Sequence, residues 1–179
     1  MGKPLSPERA ASGVAAREAA LRILARGPRT EREVAERLAA RGFEPEAVRD
    51  AVERLRRVSL LDDRAFVRSY LSRELERRPE SGAMLRARLR RRGVPAALLE
   101  DLDAAIAEDP DLDAEALGTE EGRARRALAQ LARTLRARSP EERRRRVEQA
   151  LLRRGFSWDV IRELVREETR QEPTDAEDQ

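Results

Sequence analysis

Three times along this chain an apolar residue is followed four positions later by another, four later still by Gly, and then at once by an apolar or aromatic residue. The copies are Val34, Leu38, Gly42, Phe43; Leu85, Leu89, Gly93, Val94; and Val147, Leu151, Gly155, Phe156. They sit in nearly identical contexts: ERLAARGFEPEAV, ARLRRRGVPAALL and QALLRRGFSWDVI. A spacing of four keeps both apolar residues on one helical face. Gly is the residue that leaves a helix in the left-handed conformation without a Cβ penalty. A refrain of this length predicts a tandem array of small helical units, each covered by its neighbours. The expected fold is all-α, with three tandem three-helix repeats. Such an array offers a long surface, which suits a long ligand.

The punctuation around the refrain sets the boundaries. Residues 1–13, with Pro4 and Pro7, read as a flexible leader. Repeat 1, over 14–60, begins with a helix marked by Val14, Leu21 and Leu24 that stops at Gly27 and Pro28. Thr30-Glu31-Arg32-Glu33 is a capping box, in which the hydroxyl and the Glu carboxylate each satisfy an orphan amide. Pro45 then opens a helix through Val48, Val52 and Leu55. Repeat 2, over 61–106, opens on Asp62-Asp63, continues through Phe66 and Tyr70, and ends in a helix from Pro95 through Leu98, Leu99, Leu102 and Ile106. Residues 107–122 read as an acidic linker. Repeat 3, over 123–170, has Leu128, Leu131 and Leu135 in its first helix, a Ser139-Pro140-Glu141-Glu142 cap on its second, and Ser157 capping its third. Nine helices are expected, followed by a disordered polar tail over 171–179.

Composition narrows the chemistry. There is no Cys and no His, which removes disulfides, Cys/His zinc sites, thiolate nucleophiles and imidazole acid–base catalysis. With no Gly-rich phosphate loop either, no catalytic residue, no cofactor and no metal are expected, and the protein is read as a non-enzyme. Five of the acids, Asp109, Asp111, Asp113, Glu115 and Glu120, stand at calcium-loop positions, but Ala114 occupies the slot that needs Gly, so a solvated linker is the better reading. Asp62-Asp63 lacks a third ligand and is read as a helix cap with an interhelix contact. No secretory signal opens the chain and no apolar run nears ~20 residues, so a cytoplasmic protein is expected.

A net charge of +3 hides strong segregation. Residues 64–93 hold ten Arg against three acids, residues 123–170 hold fifteen against seven, and residues 94–122 hold ten acids and no base. Of 38 basic residues only Lys3 is not Arg, which a GC-rich genome would produce, and which also suits bidentate contact with phosphate or carboxylate. In repeat 1 the charges alternate, as on an ordinary solvated face. In repeats 2 and 3 arginines outnumber the acids locally, the footprint of a polyanion binder. The candidate contact residues are Arg86, Arg90, Arg91, Arg144, Arg145 and Arg154, with Arg92 also expected off the buried stripe. With five aromatics for three cores, base stacking is not the expected mode, so any DNA contact should be electrostatic and mostly sequence-independent. The acidic linker, 107–122, is a candidate internal competitor for these clusters.

The run LLDDRAFVRSYL, the refrain and EERRRRVEQALLRRGFSWDVI together resemble the RecX family of bacterial recombinase regulators, over about residues 14–168 apart from the linker. The resemblance implies an elongated, curved array lying in the deep groove of the RecA–DNA filament. It implies a partner, the RecA filament, whose ATPase, co-protease and strand-exchange activities are mainly inhibited. It implies a role in DNA repair, DNA recombination and the SOS response. A monomer with no membrane association is expected. The alternative is a helix-turn-helix-like DNA-binding regulator, since each capped three-helix unit has the outline of that motif.

Overall fold

The computed structural model describes residues 5–110, 112–134 and 139–171, and every regular element among them is helical. The α-helices are α1 (Pro7–Ala10), α2 (Gly13–Leu24), α3 (Glu31–Ala39), α4 (Pro45–Arg57), α5 (Asp63–Arg77), α6 (Gly82–Arg91), α7 (Leu102–Ala107), α8 (Ala114–Leu117), α9 (Glu120–Thr134), α10 (Pro140–Leu152) and α11 (Trp158–Gln171). The chain forms two compact units. The first takes Met1–Tyr70 with Arg88–Glu100, and the second takes Leu71–Ala87 with Asp101–Gln179. The middle repeat thus contributes residues to both.

Each refrain Gly closes its helix in the same way. Gly42, Gly93 and Gly155 have φ of 88°, 86° and 81°. The amides that follow, Phe43, Val94 and Phe156, donate back to the carbonyls of Leu38, Leu89 and Leu151 at 3.3, 3.1 and 3.3 Å. The Gly amides donate to Ala39, Arg90 and Leu152 at 2.9 Å. This double bond pattern is the Schellman motif, and the apolar residue after Gly folds over the buried Leu of the last turn.

In the first unit α2 packs on α4 through Ala16, Ala19, Ala20 and Ile23, small side chains that let two helices approach closely. Of the stripe read from the sequence, Leu24 packs against the core, whereas Val14 and Leu21 are exposed. An Ala-rich face buries less area per residue but permits tighter packing, so it outcompetes the larger residues for the core. Residues 5–13, expected within the leader, carry α1; Leu5 packs against the core, Ser12 caps α2, and the Glu44 amide donates to the Ala10 carbonyl at 2.9 Å.

In the second unit α9, α10 and α11 surround Ala124, Ala127, Val147, Leu151, Phe156 and Ile161. Leu128 and Leu131 are only half-buried at the edge of this core, and Leu135 lies outside the described residues. The single helix expected from Pro95 to Ile106 is instead a 3-10 turn, Ala96–Leu98, followed by α7. The break places Asp103 in the first turn of α7, where the helix dipole favours a carboxylate. Within 107–122, Leu112 and Leu117 are buried and α8 is capped by Asp113, whose carboxylate accepts the Ala116 amide at 3.0 Å. The tail from 172 lies outside the described residues.

The same kind of joint occurs inside each unit. In the first, the N-cap hydroxyl of α3, Thr30, donates to the carbonyl of Arg92 at 2.6 Å. In the second, the N-cap residue of α6, Ser81, donates its amide to the carbonyl of Arg154 at 3.0 Å. Both carbonyls belong to the residue before a refrain Gly and are unused by the Schellman motif. The end of one repeat's middle helix is therefore seated on the start of the preceding repeat's middle helix.

Candidate functional site

The arginines singled out in the sequence divide into those that hold the fold and those left for solvent. In the first unit, Arg90 and Arg91 form the last turn of α6 and are exposed. Cations are favoured there by the helix dipole. Arg92, expected beside them on the surface, turns inward. Its Nε and Nη2 donate to the Glu33 carboxylate at 2.7 and 3.1 Å, and its guanidinium lies 4.5 Å above the Phe66 ring and 5.8 Å from that of Tyr70. Burial would raise the Glu33 carboxyl, but the Arg92 guanidinium and the Thr30 backbone amide outweigh it and hold that carboxyl below its ordinary range.

Beside this lock lies Asp62-Asp63. Asp62 caps α5, accepting the amides of Arg64 and Ala65 at 2.8 and 3.1 Å. Asp63 is buried and accepts the Glu31 amide at 2.9 Å, so it caps the neighbouring α3. Burial pushes the Asp63 carboxyl up; the Glu31 amide opposes this, and the charges of Asp62 and Glu33 add to it. Burial and Asp63 likewise push up Glu31. A raised folded pKa means stability that is present below the ordinary value of 3.8 and lost as pH rises through the folded value. Asp63→Asn keeps the acceptor and removes the charge. It is expected to gain under about 1 kcal/mol at pH 7, a gain that vanishes near pH 3, by urea unfolding at both pH values.

In the second unit, Arg86 was expected on the solvent face but is half-buried, with its Nη2 donating to Asp103 Oδ2 at 2.6 Å. Asp103 belongs to repeat 2 and precedes the 107–122 linker, so this pair lies within one repeat. Asp103 also holds Arg123, whose Nη2 donates to Oδ1 at 2.8 Å while its Nη1 donates to the Leu117 carbonyl at 2.8 Å. Arg154, likewise expected outside, is half-buried. Burial lowers its pKa, Arg78 and Arg153 lower it further, and Glu80 opposes them. Arg144 is exposed and paired with Glu148 at 2.9 Å. Arg145 is exposed on α10. The candidate contact residues that remain for a partner are therefore Arg90 and Arg91 on one unit and Arg145, with Arg144 beside it, on the other.

Arg123 was missed by the sequence reading, although a signal existed. It lies four residues before Ala127 and next to Ala124, on the stripe that α9 buries. Among the described residues, no cluster of acids could hold a metal ion and no helix is long and apolar enough to cross a membrane.

Comparison with known proteins agrees with this architecture. Residues 16–55 match the family model described as RecX, first three-helix domain, and residues 119–165 match RecX, third three-helix domain. Regulatory protein RecX of Chlorobaculum tepidum is 33% identical over 148 residues, covering 82% of this chain and 84% of that protein. Regulatory protein RecX of Halorhodospira halophila is 34% identical over 157 residues, covering 87% and 89%. The crystal structure of RecX from Lactobacillus salivarius superposes with a TM-score of 0.66 at 21% identity, over 87% of this chain and 95% of that one, which speaks for the fold alone. With refrain, repeats, internal joints and relatives in agreement, the chain belongs to the RecX family.

Proposed function

We propose that the protein is a regulator of RecA that binds in the groove of the RecA–DNA filament and mainly inhibits it, lowering ATP hydrolysis, co-protease action and strand exchange. The observation that carries this reading is the family relationship, taken together with arginines on both units that no carboxylate among the described residues claims. Arg90, Arg91 and Arg145 can meet DNA phosphates or acidic recombinase surface without first breaking an ion pair. Arg144 needs only to leave Glu148, and an exposed i,i+4 pair of that kind is worth about 0.3–0.5 kcal/mol. Binding of this sort needs no catalytic group in the regulator, because occupying the groove is itself the inhibition.

The test is RecA ATPase on single-stranded DNA, titrated with this protein. Wild type is expected to depress the rate. The triple reversal of Arg90, Arg91 and Arg145 to Glu is expected to need roughly tenfold more protein or worse, with unchanged helicity, since several favourable contacts become repulsive. Full inhibition by the triple variant would remove the proposed face, and inactive wild type would remove the reading. An operator-specific regulator would instead protect a single DNA sequence in footprinting at moderate salt.

A further inference from the structure

Helix α2 has two apolar faces, and only the Ala face is used by the core. On the other, Val14 and Leu21 stand seven residues apart, hence on one side of the helix, with Arg17 between them. Leu21 meets Val58 and Leu60 from the turn after α4 on the floor of an open cavity of about 500 Å³, rimmed by Arg17, Arg54 and Arg57. All of these residues belong to the first unit.

The turn that presents Val58 and Leu60 copies the refrain with one change. The Ser59 amide donates to Arg56 at 2.9 Å and the Leu60 amide to Leu55 at 3.0 Å, the same double bond pattern that closes α3, α6 and α10. The left-handed position is Ser59, with φ of 55°, where the other three have Gly. The residue after it also behaves differently. Phe43, Val94 and Phe156 are 7%, 4% and 2% exposed, whereas Leu60 is 57% exposed. A non-Gly residue held in this conformation is the kind of strain that clusters at binding sites, and the residue after it leaves a large apolar side chain in water.

We propose that this groove docks an amphipathic helical segment of a partner protein whose apolar stripe is flanked by Asp or Glu. The apolar floor of Leu21, Leu55, Val58 and Leu60 matches the stripe. The rim supplies the charge complement. Among the described residues Arg17 and Arg57 have no carboxylate partner, and Arg54 is tied only to Asp50, at 2.7 Å. A nucleic acid would use the guanidinium groups but leave the Leu and Val floor in water, so the chemistry favours protein. The proposal does not rest on the filament reading, because Arg90, Arg91 and Arg145 take no part in the groove.

The test uses the full chain labelled with ¹⁵N and a synthetic amphipathic helix of about 16 residues, Leu-striped and Glu-flanked. Saturable shifts are expected at Leu21, Val58 and Leu60. Leu60→Asp and Arg57→Glu should each weaken binding by roughly tenfold while leaving the protein folded with unchanged helicity, since both side chains are exposed. Ser59→Gly should bind as wild type and melt higher. Absence of saturable binding, equal binding of a Lys-flanked peptide, or unchanged affinity in Leu60→Asp would overturn the proposal. So would a single-stranded oligonucleotide that shifts the same residues, or concentration-dependent self-association through Leu60.

Discussion

Gly93→Ala is expected to lower unfolding free energy by about 3 kcal/mol, and Gly42→Ala by only about 1 kcal/mol, although both glycines end a helix with nearly the same φ. The common part is the left-handed conformation, which costs an Ala roughly 1–2 kcal/mol. The difference is what a Cβ would meet. At Gly42 there is nothing within 4 Å. At Gly93 the new carbon would lie 2.4, 2.5 and 2.8 Å from Cδ, Cβ and Cγ of Arg32. Because Arg32 Cβ is fixed to the backbone of α3, a rotamer change cannot clear it, and the joint itself must open. That opening pulls on the Thr30 hydroxyl bond to Arg92 and on the Arg92–Glu33 pair beneath Phe66. Urea unfolding of both variants beside wild type measures the contrast. Equal losses would mean that α3 shifts freely and that the joint is soft.

Asp103→Ala is expected to cost about 3 kcal/mol, well above a typical surface substitution. Arg123 is 1% exposed, and Asp103 is its only carboxylate partner among the described residues. Truncation leaves a buried guanidinium with the Leu117 carbonyl alone, and its Nε already lacks a partner. The double variant Asp103→Ala with Arg123→Met should recover much of the loss, because removing the charge removes the penalty. Failure of that rescue would place the cost in Arg86, the other residue held by Asp103. The pair has a defined pH response. Burial acts to raise the Asp103 carboxyl, but Arg86 and Arg123 prevail and hold it below its ordinary 3.8. A lowered folded pKa means stability present above 3.8 and lost as pH falls through the folded value, so the wild-type advantage over Asp103→Ala should shrink only in strong acid.

Arg90, Arg91 and Arg92 show where sequence reading stops. Their composition and spacing mark a basic helix end, and nothing local distinguishes the three. The Schellman closure at Gly93 turns Arg92 toward Glu33, fifty-nine positions earlier, while its two neighbours stay outside. The same holds for Arg86, whose partner Asp103 stands seventeen positions later, on another helix of the same repeat. On α2, the larger residues Val14 and Leu21 suggested the core face, and the smaller ones took it.

What the amino-acid order determined by itself was everything that closes within one or two turns: helix starts at Thr30, Ser139 and Ser157, helix ends at Gly42, Gly93 and Gly155, and the three-fold beat that predicts repeats. Those features depend on hydrogen bonds to atoms a few residues away, so residue type and spacing suffice. Only the tertiary structure decided which arginines are struts and which face solvent, and which apolar stripe is core. A charge or a methyl group is buried according to what the rest of the chain brings opposite it, and that partner is chosen by packing across tens of residues.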